Sequence, residues 1–332
     1  MAWDRDGCGA GIGGEGGGIG DWRRAGCKLG FFADNRWLAE GGSEGKGLTG
    51  MNALGNPTIG LGTTPYRFVQ VVVSPRAHGL SVRLNLNPDG RCNFDCVYCD
   101  VDRLRLCRME SIPDIAVMMS ELEEVLELIR AGRAGLLPGC AGAPPEYLRL
   151  GHVALSGSGE PTLCPIFDEV VEAVMHLRAQ GNHGFFKVAL ITNSSGLQEP
   201  AVRRGLRMLT TQDEIWAKLD AGTAGWFQQV NRTDVAYAEV LESLLTTARE
   251  RPVVIQGLFP RVDGRSVPEV ELDAFAARLA ALSREGARIR LVQVYSASRP
   301  PVDLRCSHAT LAELSGIARR VREVAGLTTA VF

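Results

Sequence analysis

Apolar residues follow two spacings along this chain, and the way in which the spacings alternate predicts the secondary structure. Some segments are short, nearly continuous apolar runs, which is the pattern of strands covered on both faces. The longer segments between them repeat their apolar residues every three or four positions, which is the pattern of amphipathic helices. We predict strands at 66–74, 81–87, 152–156, 187–192, 214–219, 253–258 and 290–295, with 328–332 as a final edge strand.

The predicted helices fall between these strands. They lie at 112–130, 166–179, 200–208, 225–230, 235–249, 267–283 and 311–324. Six strands separated by helices, mostly at intervals of about 30–35 residues, indicate repeated βα units and therefore a parallel sheet. This spacing fits either an open doubly wound sheet or a partial barrel. In both folds, ligands bind beyond the carboxyl ends of the strands.

The first fifty residues differ from the rest in composition. They hold sixteen of the 39 glycines and show neither a strand period nor a helix period. Such a segment cannot bury enough apolar surface to offset the entropy of ordering it. We predict a disordered glycine-rich N-terminal tail or a mis-assigned extension over residues 1–60, with Met51 as a candidate for the true start. One core domain is expected over residues 61–332.

Composition and charge limit the function classes. With 45% hydrophobic and 22% charged residues, the chain has the composition of an ordinary soluble protein. Its net charge of −2 provides no general basic field for a nucleic-acid backbone. No apolar run reaches the ~18 residues of a membrane span, and no secretory signal pattern opens the chain. We therefore expect a cytoplasmic protein whose nine cysteines are reduced.

Three of the cysteines are crowded into one loop after the strand predicted at 81–87. Cys92, Cys96 and Cys99 lie four and three positions apart, so one loop can direct all three thiolates at a single inorganic centre. Sulfur ligands select zinc, copper(I) or an iron–sulfur cluster over hard cations. The nearby Cys107 could complete a set of four sulfur ligands. A structural zinc site in a non-enzymatic protein therefore stays open as an alternative.

Two polar, glycine-containing turns follow the next two strands. The stretch Ser156–Leu163 contains Gly157 and Gly159, which would let backbone groups approach a ligand that a side chain would hold away. The stretch Ile191–Gly196 contains small polar side chains, and these are equally typical of a helix N-cap at Ser195. Each stretch alone fits a ligand loop or an ordinary turn.

Charged residues follow at the ends of later strands. Lys218 and Asp220 are two residues apart, so strand alternation predicts that both point to one side. A substrate or cofactor contact and a purely structural pair are equal alternatives for them. Arg299, after the strand at 290–295, could bind a carboxylate or a phosphate, or be an ordinary loop arginine.

The spacing Cys92-x-x-x-Cys96-x-Tyr98-Cys99 resembles the cluster motif of the radical S-adenosylmethionine (SAM) superfamily. Five further stretches resemble that superfamily in the same order along the chain: Ser156-Gly-Ser-Gly-Glu-Pro-Thr-Leu163, Ile191-Thr-Asn-Ser-Ser195, Lys218-Leu-Asp-Ala-Gly222, Val230-Asn-Arg232 and Arg299-Pro-Pro301. Together they are similar to the subgroup related to the wyosine tRNA-base synthases, over roughly residues 66–325. The fold that this resemblance implies is α/β, a partial (β/α)6 TIM-like barrel of the radical SAM type.

The resemblance also implies roles for individual residues. Cys92, Cys96 and Cys99 would ligate three irons of a [4Fe–4S] cluster, leaving the fourth iron to the amine and carboxylate of SAM. Tyr98 would lie near the adenine, and the backbone of Gly157, Ser158 and Gly159 would meet the methionyl amine, with Glu160 bracing their loop. Asn193, Ser194 and Ser195 would lie near the ribose. Lys218, Asp220 and Arg299 become the candidate catalytic residues, as substrate contacts.

The activity implied by the resemblance is reductive cleavage of SAM to a 5′-deoxyadenosyl radical that abstracts hydrogen from an unidentified substrate. A flavodoxin or a ferredoxin would supply the electron. The substrate would be a small molecule, a peptide or a tRNA. A tRNA-base modification enzyme of the wyosine type shares this chemistry and differs in its partner. The structural zinc protein is the alternative from another class.

Overall fold

The computed structural model describes residues 65–103, 110–297 and 299–332. The extension predicted over residues 1–60 and the candidate fourth ligand Cys107 lie outside the described residues. The strands are β1 (Val69–Ser74), β2 (Gly79–Asn85), β3 (Leu150–Ser156), β4 (Val188–Thr192), β5 (Glu214–Lys218), β6 (Val253–Leu258), β7 (Pro260–Val262), β8 (Ile289–Tyr295), β9 (Cys306–His308) and β10 (Thr329–Val331). Eight of them form one sheet in the order β1-β2-β3-β4-β5-β6-β8-β10. β1 is antiparallel to β2, and the other neighbouring pairs are parallel.

The helices of the described residues connect these strands. They are α1 (Ile115–Arg130), α2 (Phe167–Ala179), α3 (Pro200–Met208), α4 (Ala224–Asn231), α5 (Tyr237–Glu250), α6 (Glu269–Arg284) and α7 (Leu311–Ala325). N-cap hydrogen bonds determine where several of these helices begin. The Asp114 side chain accepts the Val117 N–H at the start of α1, and Thr310 and Glu313 form a capping box at the start of α7. None of these described helices is long and apolar enough to cross a membrane.

Alternation along the parallel strands separates an apolar outer face from an inner face of mixed polarity, on which Ala189, Trp216 and Val254 form a small apolar cluster. The outer face packs against the helices in the main hydrophobic core, through residues such as Val82, Val153, Ile215 and Ile255. The positions between them point inward and include charged, amide, hydroxyl and imidazole side chains: Ser81, Arg83, His152, Ser156, Lys218, Gln256, Gln293 and Tyr295. A sheet with helices on one face and polar groups on the other is a barrel wall rather than a doubly wound sheet.

The two ends of the sheet come together through the turn between β1 and β2. The Arg76 guanidinium in this turn lies 4.2 Å from the ring centroid of Tyr295, at the end of β8. The His78 ring packs edge-on against Phe332, just beyond β10, with 6.4 Å between centroids. The sheet is therefore curled, and the predicted partial (β/α)6 barrel is confirmed.

The predicted elements are present, with bounds that differ by up to three residues. β1 starts at Val69 rather than at residue 66 because the carboxylate of Glu121 accepts the backbone N–H groups of Arg67, Phe68 and Val69. Glu121 therefore anchors β1 instead of lying on a solvated face of α1. The sequence did not predict the two-stranded ribbon of β7 and β9, because three-residue strands are too short to show a period.

Candidate functional site

A cavity of about 230 Å³ opens at the carboxyl ends of the parallel strands. Its wall includes most of the residues predicted from the motifs: Cys92, Cys96, Tyr98, Cys99, Gly157, Ser158, Gly159, Glu160, Asn193, Lys218 and Arg299. Five stretches that are far apart in the sequence thus meet at one place. The structure also adds residues that the motifs did not single out, among them Arg76, Arg83, Arg103, Gln256 and Tyr295.

The cysteine loop is held against the end of α4 by backbone hydrogen bonds. The Asp95 N–H donates to the carbonyls of Asn231 and Arg232, and the Val97 N–H donates to that of Val230, at 2.9–3.2 Å. The Arg232 side chain adds a 2.6 Å bond to the Asp95 carbonyl. This contact gives the Val230–Arg232 stretch a physical role, because it fixes the backbone that carries Cys96.

Gly157 and Gly159 are required by packing within the protein. A Cβ on Gly159 would overlap the carbonyl of Arg91, which accepts the Glu160 N–H at 2.9 Å. A Cβ on Gly157 would lie 2.9 Å from Asn87 Oδ1. The explanation expected from the sequence, close approach to a ligand, is therefore incomplete. These glycines let the Ser156–Leu163 stretch lie directly against the cysteine loop and the end of β2.

Glu160 is buried and its carboxylate is surrounded by donors. It accepts hydrogen bonds from the hydroxyls of Thr162 and Thr192 and from the backbone N–H groups of Thr162 and Asn193, at 2.6–3.1 Å. Burial raises the pKa of this carboxyl, and the four hydrogen bonds act in the opposite direction. Glu160 thereby ties the turn after β3 to the turn after β4, as expected of a residue that braces the loop.

The Asn193–Ser195 turn contacts the cysteine loop through one asparagine. The Asn193 side chain donates to Asn93 Oδ1 at 2.9 Å, and Asn93 Nδ2 donates to the Ser195 hydroxyl at 2.9 Å. Asn193 lines the cavity. Ser194 is fully buried with a φ of 72°, and neither it nor Ser195 is part of the cavity wall. Of the three predicted ribose contacts, the structure places Asn193 alone at the cavity.

Lys218 and Asp220 meet at one group, because the Lys218 ammonium lies 3.4 Å from the Tyr98 hydroxyl and that hydroxyl donates to Asp220. β5 ends at Lys218, and of the two residues Lys218 alone is part of the cavity wall. Lys218 lies in the cavity wall, with its ammonium 4.7 Å from the centroid of the Tyr98 ring. Asp220 is 3% exposed behind that ring and accepts from the Tyr98 hydroxyl, from Asn231 Nδ2 at 3.0 Å and from the Leu258 N–H at 2.9 Å. Asp220 is therefore placed to position Tyr98 rather than to contact a substrate.

The charge of Lys218 is retained in this buried place. Burial lowers the pKa of its ammonium, but the neighbouring Tyr295 and Asp220 more than offset this, so the net pKa is raised. Burial, together with Asp220, raises the pKa of the Tyr98 phenol well above its usual value. Lys218 thus presents a cation, and Tyr98 a neutral hydroxyl, at neutral pH.

Arg299 lies in the cavity wall and forms an ion pair with Asp100, at 2.9 Å between its Nε and a carboxylate oxygen. Asp100 directly follows Cys99, and the Val302 N–H donates to the Cys99 carbonyl at 2.9 Å. The Arg299–Pro301 stretch therefore clamps the end of the cysteine loop. A substrate contact of Arg299 stays a prediction.

Each of the three cavity cysteines receives an N–H group at its sulfur. The donors are the Phe94 N–H to Cys92 and Asn231 Nδ2 to Cys96, both at 3.4 Å, and Arg103 to Cys99 at 3.9 Å. Such donors stabilise thiolates that ligate a metal centre. Burial raises the pKa of the Cys92 thiol to about 12 and also raises that of Cys96, so binding of a metal group there would displace protons.

Within the described residues, no group of three or more His, Cys, Asp and Glu side chains is arranged to hold a single metal ion. In an iron–sulfur cluster, each thiolate binds a different iron, so its ligands need not converge on one point. Three soft donors in one cavity wall, each with an N–H donor at its sulfur, fit a cluster. The cluster assignment stays a prediction.

The sequence did not predict the bonds of one motif residue, Asn231, and it did not single out one charged residue of the cavity wall, Arg83. Asn231 links three groups of the site, because its Nδ2 lies 3.4 Å from Cys96 Sγ, 3.2 Å from the Tyr98 hydroxyl and 3.0 Å from Asp220. Arg83 lies on the inner face of β2. The signal for Arg83 was available, since it is the one charged residue in the run Ser81–Asn85.

No family model matches the chain. A curated relative, the UPF0026 protein slr1464 of Synechocystis sp., is 30% identical over 169 residues, which is 49% of this chain and 52% of the relative. The chain thus matches about half the length of this relative.

Two solved structures show more distant similarity. One is of TYW1 with a lysine–pyruvate adduct bound, at 18% identity, 74% coverage of each chain and a TM-score of 0.45. The other is of SuiB from Streptococcus suis bound to S-adenosylmethionine, at 13% identity, 77% coverage of this chain, 49% of that chain and a TM-score of 0.47. At these identities and TM-scores, the two structures assign neither a family nor an activity to this chain.

Proposed function

We propose that this chain is an enzyme of the radical SAM type, which binds a [4Fe–4S] cluster through Cys92, Cys96 and Cys99 and binds SAM beside it. One observation carries the proposal. The motif stretches that resemble this superfamily each contact the cysteine loop, at Arg91, Asn93, Asp95, Val97, Tyr98 and Asp100, and all of them except Val230–Arg232 line a single cavity with the three thiols. A loop that served only to fold a small metal site would not need this convergence.

The wall of the cavity suggests how SAM would be held. The carbonyl oxygens of Gly157, Ser158 and Gly159 accept no hydrogen bond from the described part of the chain, whereas the Ser158 N–H is taken by Asn85 at 2.9 Å. Free carbonyls suit the ammonium of a methionyl group. Asn193, which lines the cavity, would contact the ribose, and the ring of Tyr98, beside the cysteines, would lie near the adenine.

When bound, the cluster and SAM would supply a 5′-deoxyadenosyl radical for hydrogen abstraction. The residues of this chain would bind and orient the cofactor and a substrate and exclude water from the cavity. Asn231 and Asp220 would keep Tyr98 beside Cys96. Lys218 remains the candidate for contact with substrate or cofactor. A flavodoxin or a ferredoxin is the proposed electron donor.

The alternative of a structural zinc site fits the structure less well. Structural zinc sites are closed by four protein ligands, whereas these cysteines face a cavity with Lys218 and Arg299 in its wall. The wyosine-type tRNA enzyme shares the proposed chemistry. The net charge of −2 gives it no support from a general basic field.

Anaerobic reconstitution of the full chain, followed by iron, sulfide and zinc analysis, tests the cluster. We expect about four irons per chain, as for a [4Fe–4S] cluster, and a large loss of iron in Cys96→Ala. Cys140→Ala is the matched control, because Cys140 is buried in the hydrophobic core away from the cavity. Stoichiometric zinc, or equal iron in both variants, would contradict the proposal.

A further inference from the structure

We propose that the deep end of this cavity is a binding subsite for an oxyanion carried by the substrate, and that Arg83 is its anchor. The inference rests on the proposed function, because it assigns a substrate class to the same cavity. It comes from residues that none of the resembling motifs contains.

Arg83 lies deeper in the barrel than the residues proposed to hold SAM. On β2 it is preceded on the inner face by Ser81 and followed by Asn85. Asn85 supports Ser158 of the glycine-containing turn at the rim. Two residues of a strand span about 6.6 Å, so Arg83 is one inner-face position below that rim. Below it, the Ser81 hydroxyl and the His152 ring are 2.8 Å apart and close the barrel.

The Arg83 guanidinium has no partner within the described residues that balances its charge. Its Nε is shielded from solvent without a hydrogen-bond partner, and it forms no ion pair with a carboxylate of the described chain. Its exposure is intermediate, and it lies in the cavity wall. Burying an unpaired charge is costly, so the guanidinium is expected to be used by a ligand that enters the cavity.

The groups around Arg83 make the deep end positive. Arg76 and Arg299 line the same cavity as Arg83. Burial lowers the pKa of the Arg83 guanidinium, Arg299 and Arg76 lower it further, and Asp100 acts in the opposite sense. Asp100 is already paired with Arg299. Lys218 is a further cation in the wall, and it is linked to Asp220 through the Tyr98 hydroxyl. The carboxylate of Glu160 is consumed by its four donors, so an anion from outside would complete the balance.

Gln256 supplies a second, complementary feature. Its Nε2 donates to Gln293 Oε1 at 2.8 Å, and its Oε1 is buried without a donor within the described residues. A guanidinium and a free acceptor in one cavity fit a ligand with an oxyanion and a nearby N–H or O–H donor. A carboxylate and a phosphate share this chemistry.

The test measures stabilisation of the full-length chain by two probes, inorganic phosphate and acetate, at constant ionic strength. A ligand that binds the folded chain raises its melting temperature in a saturable way. We expect such a rise with at least one probe and at least a tenfold weaker apparent affinity in Arg83→Gln. Stronger stabilisation by phosphate would indicate a phosphorylated substrate, and stronger stabilisation by acetate a carboxylate. Arg133→Gln is the matched control, because Arg133 is exposed beyond the end of α1, at the opposite end of the barrel.

Three results of the anion and melting measurements would overturn the inference. The first is no saturable stabilisation of the wild type by either anion, and the second is an equal response in Arg83→Gln. A marked drop in melting temperature of ligand-free Arg83→Met would show a structural role, whereas removal of an unpaired buried charge is expected to leave the melting temperature unchanged or higher.

A SAM titration separates this inference from the proposed function. If Arg83→Gln weakened SAM binding to the reconstituted protein as much as anion binding, Arg83 would be a cofactor contact and the inference would fail. Failure of the wild type to bind a cluster or SAM would refute the proposed function, and the anion measurement on the metal-free chain would still decide the role of Arg83.

Discussion

Replacement of Gly159 by alanine tests whether the cysteine loop is held by direct contact with the turn after β3. A Cβ at this position would come closer to the Arg91 carbonyl than 3.0 Å, a separation below which real Cβ contacts essentially do not occur. The obstacle is backbone on both sides, so it cannot be relieved by rotating a side chain. The loop must move, and the 2.9 Å hydrogen bond from the Glu160 N–H to Arg91 must lengthen or break.

The expected cost can be assembled from its parts. Overpacking in a close contact costs roughly 1–3 kcal/mol, and loss of a partly buried hydrogen bond adds about 1 kcal/mol. We therefore expect Gly159→Ala to lower the free energy of unfolding by about 2–4 kcal/mol. In a domain of this size, each kcal/mol corresponds to about 2–4 °C in melting temperature. Displacement of the loop should also reduce iron content after reconstitution.

Urea denaturation of the metal-free chain and iron analysis of the reconstituted chain measure these effects. Gly316→Ala is the matched control, because Gly316 lies within α7 and a Cβ there would meet no atom within 4 Å. Alanine favours a helix interior over glycine by about 1 kcal/mol, so the control should be neutral or more stable. Wild-type stability and full iron content in Gly159→Ala would refute the reasoning.

Three further predictions follow from buried polar groups. Asn231→Ala should lower stability by about 1–3 kcal/mol and reduce iron content, because Cys96 and Asp220 each lose a donor; unchanged iron content would contradict the assigned role. Burial, aided by nearby cations, lowers the pKa of His152 to about 3. Its unfolded value is near 6.5, so the unfolded chain binds the proton first and stability should fall by up to about 1.4 kcal/mol per pH unit as the pH drops from 6 to 4; denaturation of His152→Asn across that range should show a flatter profile. Asp213 forms a buried ion pair with Arg178 at 2.7 Å, and this pair and backbone donors lower its pKa although burial opposes them. Its contribution is present above pH ~4 and is lost as the pH falls through the depressed value, and Asp213→Ala should cost about 3–5 kcal/mol at neutral pH by urea denaturation.

Much of the fold could be read from the sequence because the strand and helix periods are strong. The run Val253–Leu258 and the helix Pro200–Met208 match the structure residue for residue. The spacing of strands and helices could not decide between an open sheet and a barrel. It depends on the contact of Arg76 with Tyr295, 219 positions apart in the chain, which no local pattern encodes.

The site residues that belong to a motif could be predicted from the sequence. Those whose role depends on contacts with distant parts of the chain could not. Cys92, Cys96 and Cys99 were found from their spacing, and the structure places all three in one cavity wall. The reason for Gly159 was not accessible, because the carbonyl that it contacts belongs to another loop. The contact of Lys218 and Asp220 with one tyrosine hydroxyl was not accessible, because Tyr98 lies 120 positions before Lys218 in the chain. Asn231 lies in the resembling stretch Val230–Arg232, but no sequence pattern shows that its side chain bonds to a thiol.

The measurement that tests the central claim most directly follows SAM on the reduced, reconstituted protein. Dithionite is added anaerobically with SAM, the cluster signal is recorded by electron paramagnetic resonance, and 5′-deoxyadenosine is quantified by chromatography. The account predicts that SAM changes the cluster signal and that 5′-deoxyadenosine forms slowly in the wild type and not in Cys96→Ala. A cluster signal unaffected by SAM, with no 5′-deoxyadenosine above the variant, would contradict it.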